Sequence, residues 1–87
     1  MPYRLDFVSS ARREFLALSL DVRRRIDAHL LKLPDEPRPR GGKSLKGYEN
    51  LFRIRVGEYR VVYEIDDAAR VVTVTRVRLR AKAYRNL

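Results

Sequence analysis

The 87-residue sequence contains no cysteine, and its one histidine is His29. Disulfide bonds and thiolate metal sites are therefore excluded, and a single imidazole is too few for a histidine metal site. No apolar run approaches the roughly 20 residues that span a bilayer, and the N-terminal stretch is charged where a signal peptide is apolar. We therefore expect a cytoplasmic protein with no cofactor, no metal site and no membrane partner.

Acidic residues are also scarce, so the chain carries a large positive charge. Lysine and arginine together number 20 against 11 aspartates and glutamates, which gives a net charge of +9 and a pI near 10.6. The excess is concentrated in residues 37–60, with seven basic and two acidic side chains, and in residues 76–87, with five and none. Most of these cations are arginines, whose planar fork binds phosphate oxygens in pairs. The charge predicts a polyanionic partner, most simply RNA or DNA.

The hydrophobic pattern of the N-terminal part predicts a strand followed by two helices. Residues 3–7 alternate as in a strand. The first amphipathic helix begins with Ser9 or Ser10 as its N-cap, and the second is capped by Ser19 or Asp21 and ends before Pro34. Their apolar stripes are Ala11, Phe15 and Leu18 in the first helix, and Val22, Ile26, Leu30 and Leu33 in the second.

The remaining part predicts a loop and three strands. Residues 34–47 contain three prolines and three glycines and form a connecting loop. Residues 51–65 alternate in two strands joined at Gly57 and Glu58, and residues 71–77 form a third strand. We therefore predict one α+β domain over residues 1–87, in which an N-terminal strand, two short helices and a three-strand meander build a small antiparallel sheet.

The predicted hairpin places three arginines on the face opposite its apolar residues. Arg53 and Arg55 in its first strand and Arg60 in its second alternate with apolar side chains that we expect in the core. Because successive side chains of a strand point to opposite faces, the three guanidinium groups are expected to point outward together.

The last strand cannot alternate regularly to its end. Val72 and Val74 share their parity with Arg76, Arg78 and Arg80, so a regular strand would put valines and arginines on the same face. Both sets cannot lie in the core. We therefore expect a bulge or a strand end between residues 74 and 78.

The sequence offers few groups for catalysis. It contains no Ser–His–Asp set, no paired carboxylates at a plausible spacing and no glycine-rich phosphate loop with its lysine. Arginine, lysine and tyrosine remain, and they suit phosphate chemistry. Arginines stabilise charge that builds on a pentavalent phosphorus, and RNA supplies a nucleophile in its own 2′-hydroxyl. Tyr84 offers a ring for stacking of an unpaired base and a hydroxyl that can move a proton.

Two stretches, LKGYENLFRIRVGEYRVVYEI at 45–65 and VVTVTRVRLRAKAYR at 71–85, together with the preceding strand and helices, resemble the RelE/ParE superfamily of bacterial toxins, in its RelE-like branch. The resemblance covers nearly the whole chain. It implies a fold similar to that of microbial ribonucleases and cleavage of messenger RNA in the ribosomal A site by 2′-hydroxyl attack. It also implies a cognate, RelB-like antitoxin as partner, and binding of operator DNA only in complex with that antitoxin.

The resemblance also implies roles for individual residues. Arg60 and Arg80 would bind the scissile phosphate and stabilise its transition-state charge. Arg53 and Arg55 would hold the RNA backbone, and Tyr84 would stack on a base or assist proton transfer. We also expect RNA contacts from the other basic side chains near the site and in the loop: Arg38, Arg40, Lys43, Lys46, Arg76, Arg78 and Lys82.

Two departures from the family pattern keep other functions open. Well-studied relatives have lysines at the positions of Arg53 and Arg55, and many have a histidine at that of Leu79. Arginine is a poor general base at neutral pH, so the proton-transfer group is not evident. One alternative is a ParE-like poison of DNA gyrase without a nuclease site. The other is a catalytically silent homologue that binds the antitoxin and acts in repression.

Overall fold

A computed structural model describes residues 2–83 of the chain. The helices and strands, in chain order, are β1 (Arg4–Phe7), α1 (Ser9–Leu16), α2 (Leu20–Leu30), β2 (Lys43–Ser44), β3 (Leu51–Val56), β4 (Tyr59–Asp66) and β5 (Val71–Leu79). A short 3-10 turn, Arg80–Lys82, follows β5. The five strands form one sheet in the order β1-β5-β4-β3-β2.

The predicted α+β class and the meander β3–β4–β5 are confirmed, but the prediction of an antiparallel sheet is wrong at β1. This strand runs parallel to β5, with Arg4 opposite Val71 and Phe7 opposite Val74, whereas the other neighbouring strands are antiparallel. Alternation fixes which side chains share a face but not the direction of a strand, and the long connection between β1 and β5 permits either direction. The predicted loop also contains the edge strand β2.

The two helices begin in different ways. The Ser19 hydroxyl accepts a hydrogen bond from the backbone N–H of Val22 at 3.4 Å, so this serine caps α2 as predicted. In α1 the N-cap is Val8 and no side chain bonds the first turn, so the prediction that Ser9 or Ser10 is the cap is wrong. The N–H of Val8 still donates to Val74 of β5 at 3.0 Å, and the chain enters the helix directly after that bond.

One face of the sheet packs against both helices. Helix α1 lies over β5 and α2 lies near β3. Their apolar sides meet the sheet in a core of buried side chains: Ala11, Ile26, Leu30, Leu33, Ile54, Val56, Val61, Tyr63, Ile65, Val72, Val74 and Val77. Burial of this apolar surface is the main stabilising contribution to the fold. Within residues 2–83, no helix is long and apolar enough to cross a membrane.

A bulge in β5 turns arginines away from this core, as the parity of the sequence predicted. Val74 lies opposite Tyr63 but Arg76 lies opposite Val62, so Thr75 is an extra residue on β5. The Thr75 hydroxyl donates to the carbonyl oxygen of Val62 at 3.2 Å. Val72 and Val74 before the bulge and Val77 after it are therefore all buried against the helices, while the arginines after the bulge face the other way.

The connection from α2 to β2 is held against the sheet by Tyr63. The hydroxyl of this buried side chain donates to the carbonyl oxygen of Pro37 at 2.9 Å. Burial raises the pKa of Tyr63 to about 12, so the hydroxyl remains a donor at neutral pH. Gly42 passes so close that a Cβ there would lie 3.1 Å from the same hydroxyl oxygen. A side chain at this position would therefore crowd the Tyr63 hydroxyl and the loop that it holds.

Arg38 fixes the same loop to the end of the sheet where β4 turns into β5. Its guanidinium donates to both carboxylate oxygens of Asp67, at 2.8 and 3.2 Å, and lies 5.3 Å from the ring centre of Phe52. The hydroxyl of Tyr3 donates to the same carboxylate at 2.6 Å. These bonds, first that from Arg38 and then that from Tyr3, hold the pKa of Asp67 below its ordinary value.

This cluster predicts how stability changes in acid. A carboxyl whose pKa is lower in the folded than in the unfolded state contributes stability above its unfolded pKa, and that contribution is lost as pH falls through the folded value. We expect Asp67→Asn to lower the urea midpoint slightly at pH 7. An aspartate ordinarily titrates at about pH 4. As the pH falls below about 4, the urea midpoint of wild type should therefore decrease more steeply than that of the variant. Asp35→Asn, at an exposed turn, is the matched control, and parallel pH profiles for wild type and Asp67→Asn would contradict the prediction.

Candidate nucleic-acid interface

Three arginines stand in a row across the sheet face that is turned away from the helices. Arg55 of β3 lies opposite Arg60 of β4, and Arg60 lies opposite Arg78 of β5. Side chains of directly paired residues point to the same face, with Cβ atoms about 4.5–5.5 Å apart. We call these three residues the arginine row.

A second row of basic residues lies beside the first. Lys43 of β2 is paired with Arg53, which is paired with Val62, and Val62 is paired with Arg76. The second row is two residues along the strands from the arginine row, or about 6.8 Å at the usual rise per residue. The next row on this face contains the acidic Glu64 between Leu51 and Thr73. Positive charge is thus concentrated toward the Gly57 end of the sheet.

Arg60 is the most buried member of the arginine row, with 5% of its surface exposed. Its Nη1 atom donates to the carbonyl oxygens of Tyr59 at 3.1 Å and of Gly57 at 3.3 Å. Gly57 has φ of +59°, which permits the tight two-residue turn that presents these oxygens. The predicted shared face of Arg53, Arg55 and Arg60 is confirmed by the strand register, but Arg60 is buried on that face and is not a solvated outward side chain. Arg55 is exposed and Arg53 is half-buried, so the hairpin presents guanidinium groups at different depths.

Arg78 is held by a carboxylate from the helical layer. Its Nε atom donates to Oε2 of Glu14, and the other oxygen of Glu14 accepts the backbone N–H of Val77 at 3.1 Å. The pairing of β1 with β5 ends at Phe7 and Val74, so this part of β5 lies beyond its neighbour. Glu14 therefore accepts a backbone N–H that a neighbouring strand would otherwise bind.

The segment after β5 returns toward the same face. The backbone N–H of Arg80 donates to the carbonyl oxygen of Glu58 at 2.9 Å, which places the exposed Arg80 beside the hairpin turn. The guanidinium of Arg76 donates to the carbonyl oxygen of Ala83 at 3.3 Å. Ala83 is fully buried. The predicted site residue Tyr84 lies outside the described residues.

The structure brings some of the predicted RNA-binding residues to this face and separates others from it. Lys43, Arg76 and Arg78 share the face with Arg53, Arg55 and Arg60. Arg38 lies at the opposite end of the sheet and is engaged with Asp67. The remaining predicted RNA-binding residues are exposed outside the two rows, in the loop or in the 3-10 turn: Arg40, Lys46 and Lys82.

Sequence reasoning missed Glu14, although a signal was present. Glu14 lies three residues after Ala11 and next to Phe15, so helical spacing places it beside the apolar residues of the predicted first helix. A carboxylate on the buried face of a helix requires a partner. The hydrogen-bonding carbonyls of Gly57 and Tyr59 were not predictable, because backbone acceptors carry no mark in a sequence.

The geometry suits binding of a charged group better than proton transfer. Guanidinium groups stay protonated at neutral pH and offer several donors to phosphate oxygens. Among the described residues no three histidine, cysteine, aspartate or glutamate side chains are grouped as metal ligands. The site can therefore stabilise a phosphate whose negative charge increases, while the described residues supply no evident general base.

Comparison with known proteins finds toxins of the ParE and RelE type. The family model described as ParE toxin of type II toxin-antitoxin system, parDE, matches residues 6–84. The mRNA interferase toxin RelE of Escherichia coli (strain K12) is 33% identical over 88 residues, covering 97% of this chain and 92% of RelE. A chain in the RelE–RelB complex of Pyrococcus horikoshii OT3 is similar with a TM-score of 0.82 and 27% identity, covering 95% of this chain and 100% of that chain. A chain in the toxin–antitoxin complex RelBE2 of Mycobacterium tuberculosis has a TM-score of 0.79 and 33% identity, with coverage of 92% and 100%.

The arginine row should destabilise the free protein. Like charges directly opposite one another in a sheet repel, so Arg55→Gln should raise the free energy of unfolding by about 0.2–1 kcal/mol at low salt. In about 1 M salt, where the screening length is about 3 Å, most of this gain should disappear. Urea unfolding at the two salt concentrations measures the effect, and Arg55→Lys is the control that keeps the charge. A gain that persists in high salt would show that repulsion is not its cause.

Proposed function

Because the chain belongs to the RelE/ParE toxin superfamily of type II toxin–antitoxin systems, in its RelE-like branch, we propose that it is a toxin that cleaves messenger RNA as an endoribonuclease. The observation that carries the proposal is the arginine row on the sheet face opposite the helices. A sheet does not gain stability from three arginines in direct opposition, whereas a phosphate bound between them would remove the repulsion.

In the proposed reaction the 2′-oxygen of a ribose attacks the neighbouring phosphorus. A new P–O2′ bond forms, the P–O5′ bond breaks, the 2′-proton is removed and the leaving 5′-oxygen gains a proton. Arg60 is fixed at the turn and Arg80 lies beside it, so these two residues would bind the scissile phosphate and stabilise its transition-state charge. Positioning and charge stabilisation would supply most of the rate, with Tyr84 as the residue for base stacking or proton transfer.

The two rows suggest a path for the RNA backbone. A strand of RNA that follows the direction of β3 and β4 would meet the arginine row and then Arg53 and Lys43 of the second row. The separation of about 6.8 Å between the rows would place two phosphates on two sets of cations. The exposed Arg55 can move to a phosphate, while the buried Arg60 provides a fixed point.

The proposed partner of the free toxin is a RelB-like antitoxin. The similar chains from Pyrococcus horikoshii and Mycobacterium tuberculosis were solved in toxin–antitoxin complexes. A net charge of +9 favours an acidic partner, because complementary charge accelerates encounter and excludes wrong partners. The ribosome with its A-site messenger RNA is the proposed target, and operator DNA is proposed to bind only to the complex with antitoxin.

Primer extension on a defined messenger RNA in programmed ribosomes tests the nuclease. Wild type should cut within the A-site codon, and Arg60→Ala should cut at least about 100-fold more slowly, as expected for the loss of a transition-state donor. Arg60→Lys keeps a charge and a donor but not the fork, so its rate should lie between the two. Arg25→Ala, which removes the same charge from an exposed ion pair on α2, should cut like wild type.

The controls separate the alternatives. Thermal unfolding of each variant shows whether a slow variant is folded, since Arg60 also bonds the turn. Messenger RNA without ribosomes tests ribosome dependence. Folded Arg60→Ala that cuts like wild type would remove this residue from the site. Folded wild type that cuts nothing would refute the nuclease, and expression in cells would then distinguish a gyrase poison, which induces DNA-damage signalling, from a silent homologue, which leaves growth unaffected.

A further inference from the structure

Glu14 is a carboxylate that the proposed chemistry does not use, although it lies beside the arginine row. It is on the core-facing side of α1, with 25% of its side chain exposed, and both of its oxygens are bonded. A half-buried charge at this position requires compensation, and its partners are the backbone of Val77 and the side chain of Arg78.

The two bonds make different demands on residue 14. The N–H of Val77 needs only an acceptor, which the amide oxygen of a glutamine would also provide. The bond with Nε of Arg78 joins opposite charges, so it is stronger when residue 14 is a carboxylate. The first bond completes the edge of β5, and the second acts on one side chain of the candidate site.

Arg78 needs such a partner because of its neighbours. It lies directly opposite Arg60, which lies opposite Arg55, so repulsion favours rotamers that move its guanidinium away from the row. Glu14 lies at the open edge of β5, so its bond to Nε draws the guanidinium to that side and fixes it at the end of the row. The bond to Glu14 uses Nε, so the terminal amino groups of the fork are the donors that would bind a phosphate oxygen while Nε stays with Glu14.

The pair is also accessible to a ligand. Glu14 and Arg78 line a cavity of about 380 Å³ whose other walls include Leu18, Tyr59 and Leu79. Arg78 has 32% of its side chain exposed. The guanidinium is therefore held in place without being closed off from the solvent.

We propose that Glu14 is a positioning residue, which holds Arg78 at the end of the arginine row so that Arg78 binds an RNA phosphate. The inference depends on the proposed RNA site, and it adds a residue of the helical layer to that site. Glu14 touches no substrate in this role and acts through Arg78 alone.

A double-mutant cycle tests this dependence. The measured quantity is the affinity for a fluorescent single-stranded RNA oligonucleotide in low salt, for wild type, Glu14→Gln, Arg78→Ala and the double variant. Glu14→Gln keeps an acceptor for Val77, so its melting temperature should stay near that of wild type, while its affinity should fall roughly fivefold, in line with loss of one ion pair. In the Arg78→Ala background the same substitution should have no further effect.

Cleavage kinetics provide a second readout. For the ribosome-programmed reaction, Glu14→Gln should raise KM with little change in kcat, because Arg78 holds substrate and transition state equally. Asp21→Asn, which makes the same change in charge at an exposed ion pair on α2, should change neither quantity. If Glu14 only stabilised the fold, its substitution would lower the melting temperature and would not raise KM selectively.

The outcomes distinguish the inference from the nuclease proposal. Equal losses of affinity from Glu14→Gln with and without Arg78 would overturn the positioning role, as would an unchanged affinity in Glu14→Gln. Wild type that fails to bind the oligonucleotide would overturn it as well. Wild type that binds RNA without cutting messenger RNA would refute the nuclease alone, since the cycle on binding would still decide the role of Glu14.

Discussion

Repulsion between directly opposed arginines is the constraint that organises one half of this molecule. The register of β3, β4 and β5 places Arg55, Arg60 and Arg78 side by side, and each is held differently. Arg60 is held by carbonyl oxygens of the hairpin turn and Arg78 by a carboxylate from α1, while Arg55 remains exposed. The turn, the helix and the strand register thus all contribute to keeping the positive charges together.

At the other end of the sheet an arginine is paired with a carboxylate, not placed opposite other arginines. There Arg38 meets Asp67 in a two-point ion pair, and Tyr3 bonds the same carboxylate. That arginine fastens a loop and leaves little uncompensated charge. The positive charge is therefore distributed unevenly: Arg38 is paired with a carboxylate at this end, whereas the directly opposed arginines lie at the Gly57 end. A simple count of basic residues in the two segments did not separate these groups.

Much of the fold followed from the alternation of residues, because side-chain period reports directly on burial. The hairpin, the meander and the bulge in β5 were all predictable, and the bulge followed from parity alone: Val74 and Arg76 could not share a face. The direction of β1 was not predictable, since a parallel and an antiparallel neighbour bury the same side chains. The N-cap of α1 was not predictable from residue type, because Val8 has no side-chain acceptor and its backbone N–H bonds β5.

The site was less predictable than the fold. The shared face of Arg53, Arg55 and Arg60 followed from period two, but the burial of Arg60 depends on carbonyls presented by the turn. Glu14 is 64 residues from Arg78 in sequence, and only the packing of α1 on β5 brings them together. The position of Glu14 on an apolar helix face indicates from sequence that it needs a partner. It does not indicate which residue that partner is, because contacts between distant segments leave no local sequence pattern.

The extra residue in β5 has a consequence for how the chain can change in length. Thr75 and Arg76 together oppose Val62, so a chain without Thr75 would alternate regularly from Val74 through Arg76 to Val77. In most strands, removal of one residue exchanges buried and exposed side chains over the whole segment that follows. At this position a single-codon deletion would keep valines inside and arginines outside. At this one position, β5 can therefore lose a residue without a change in which face carries its arginines.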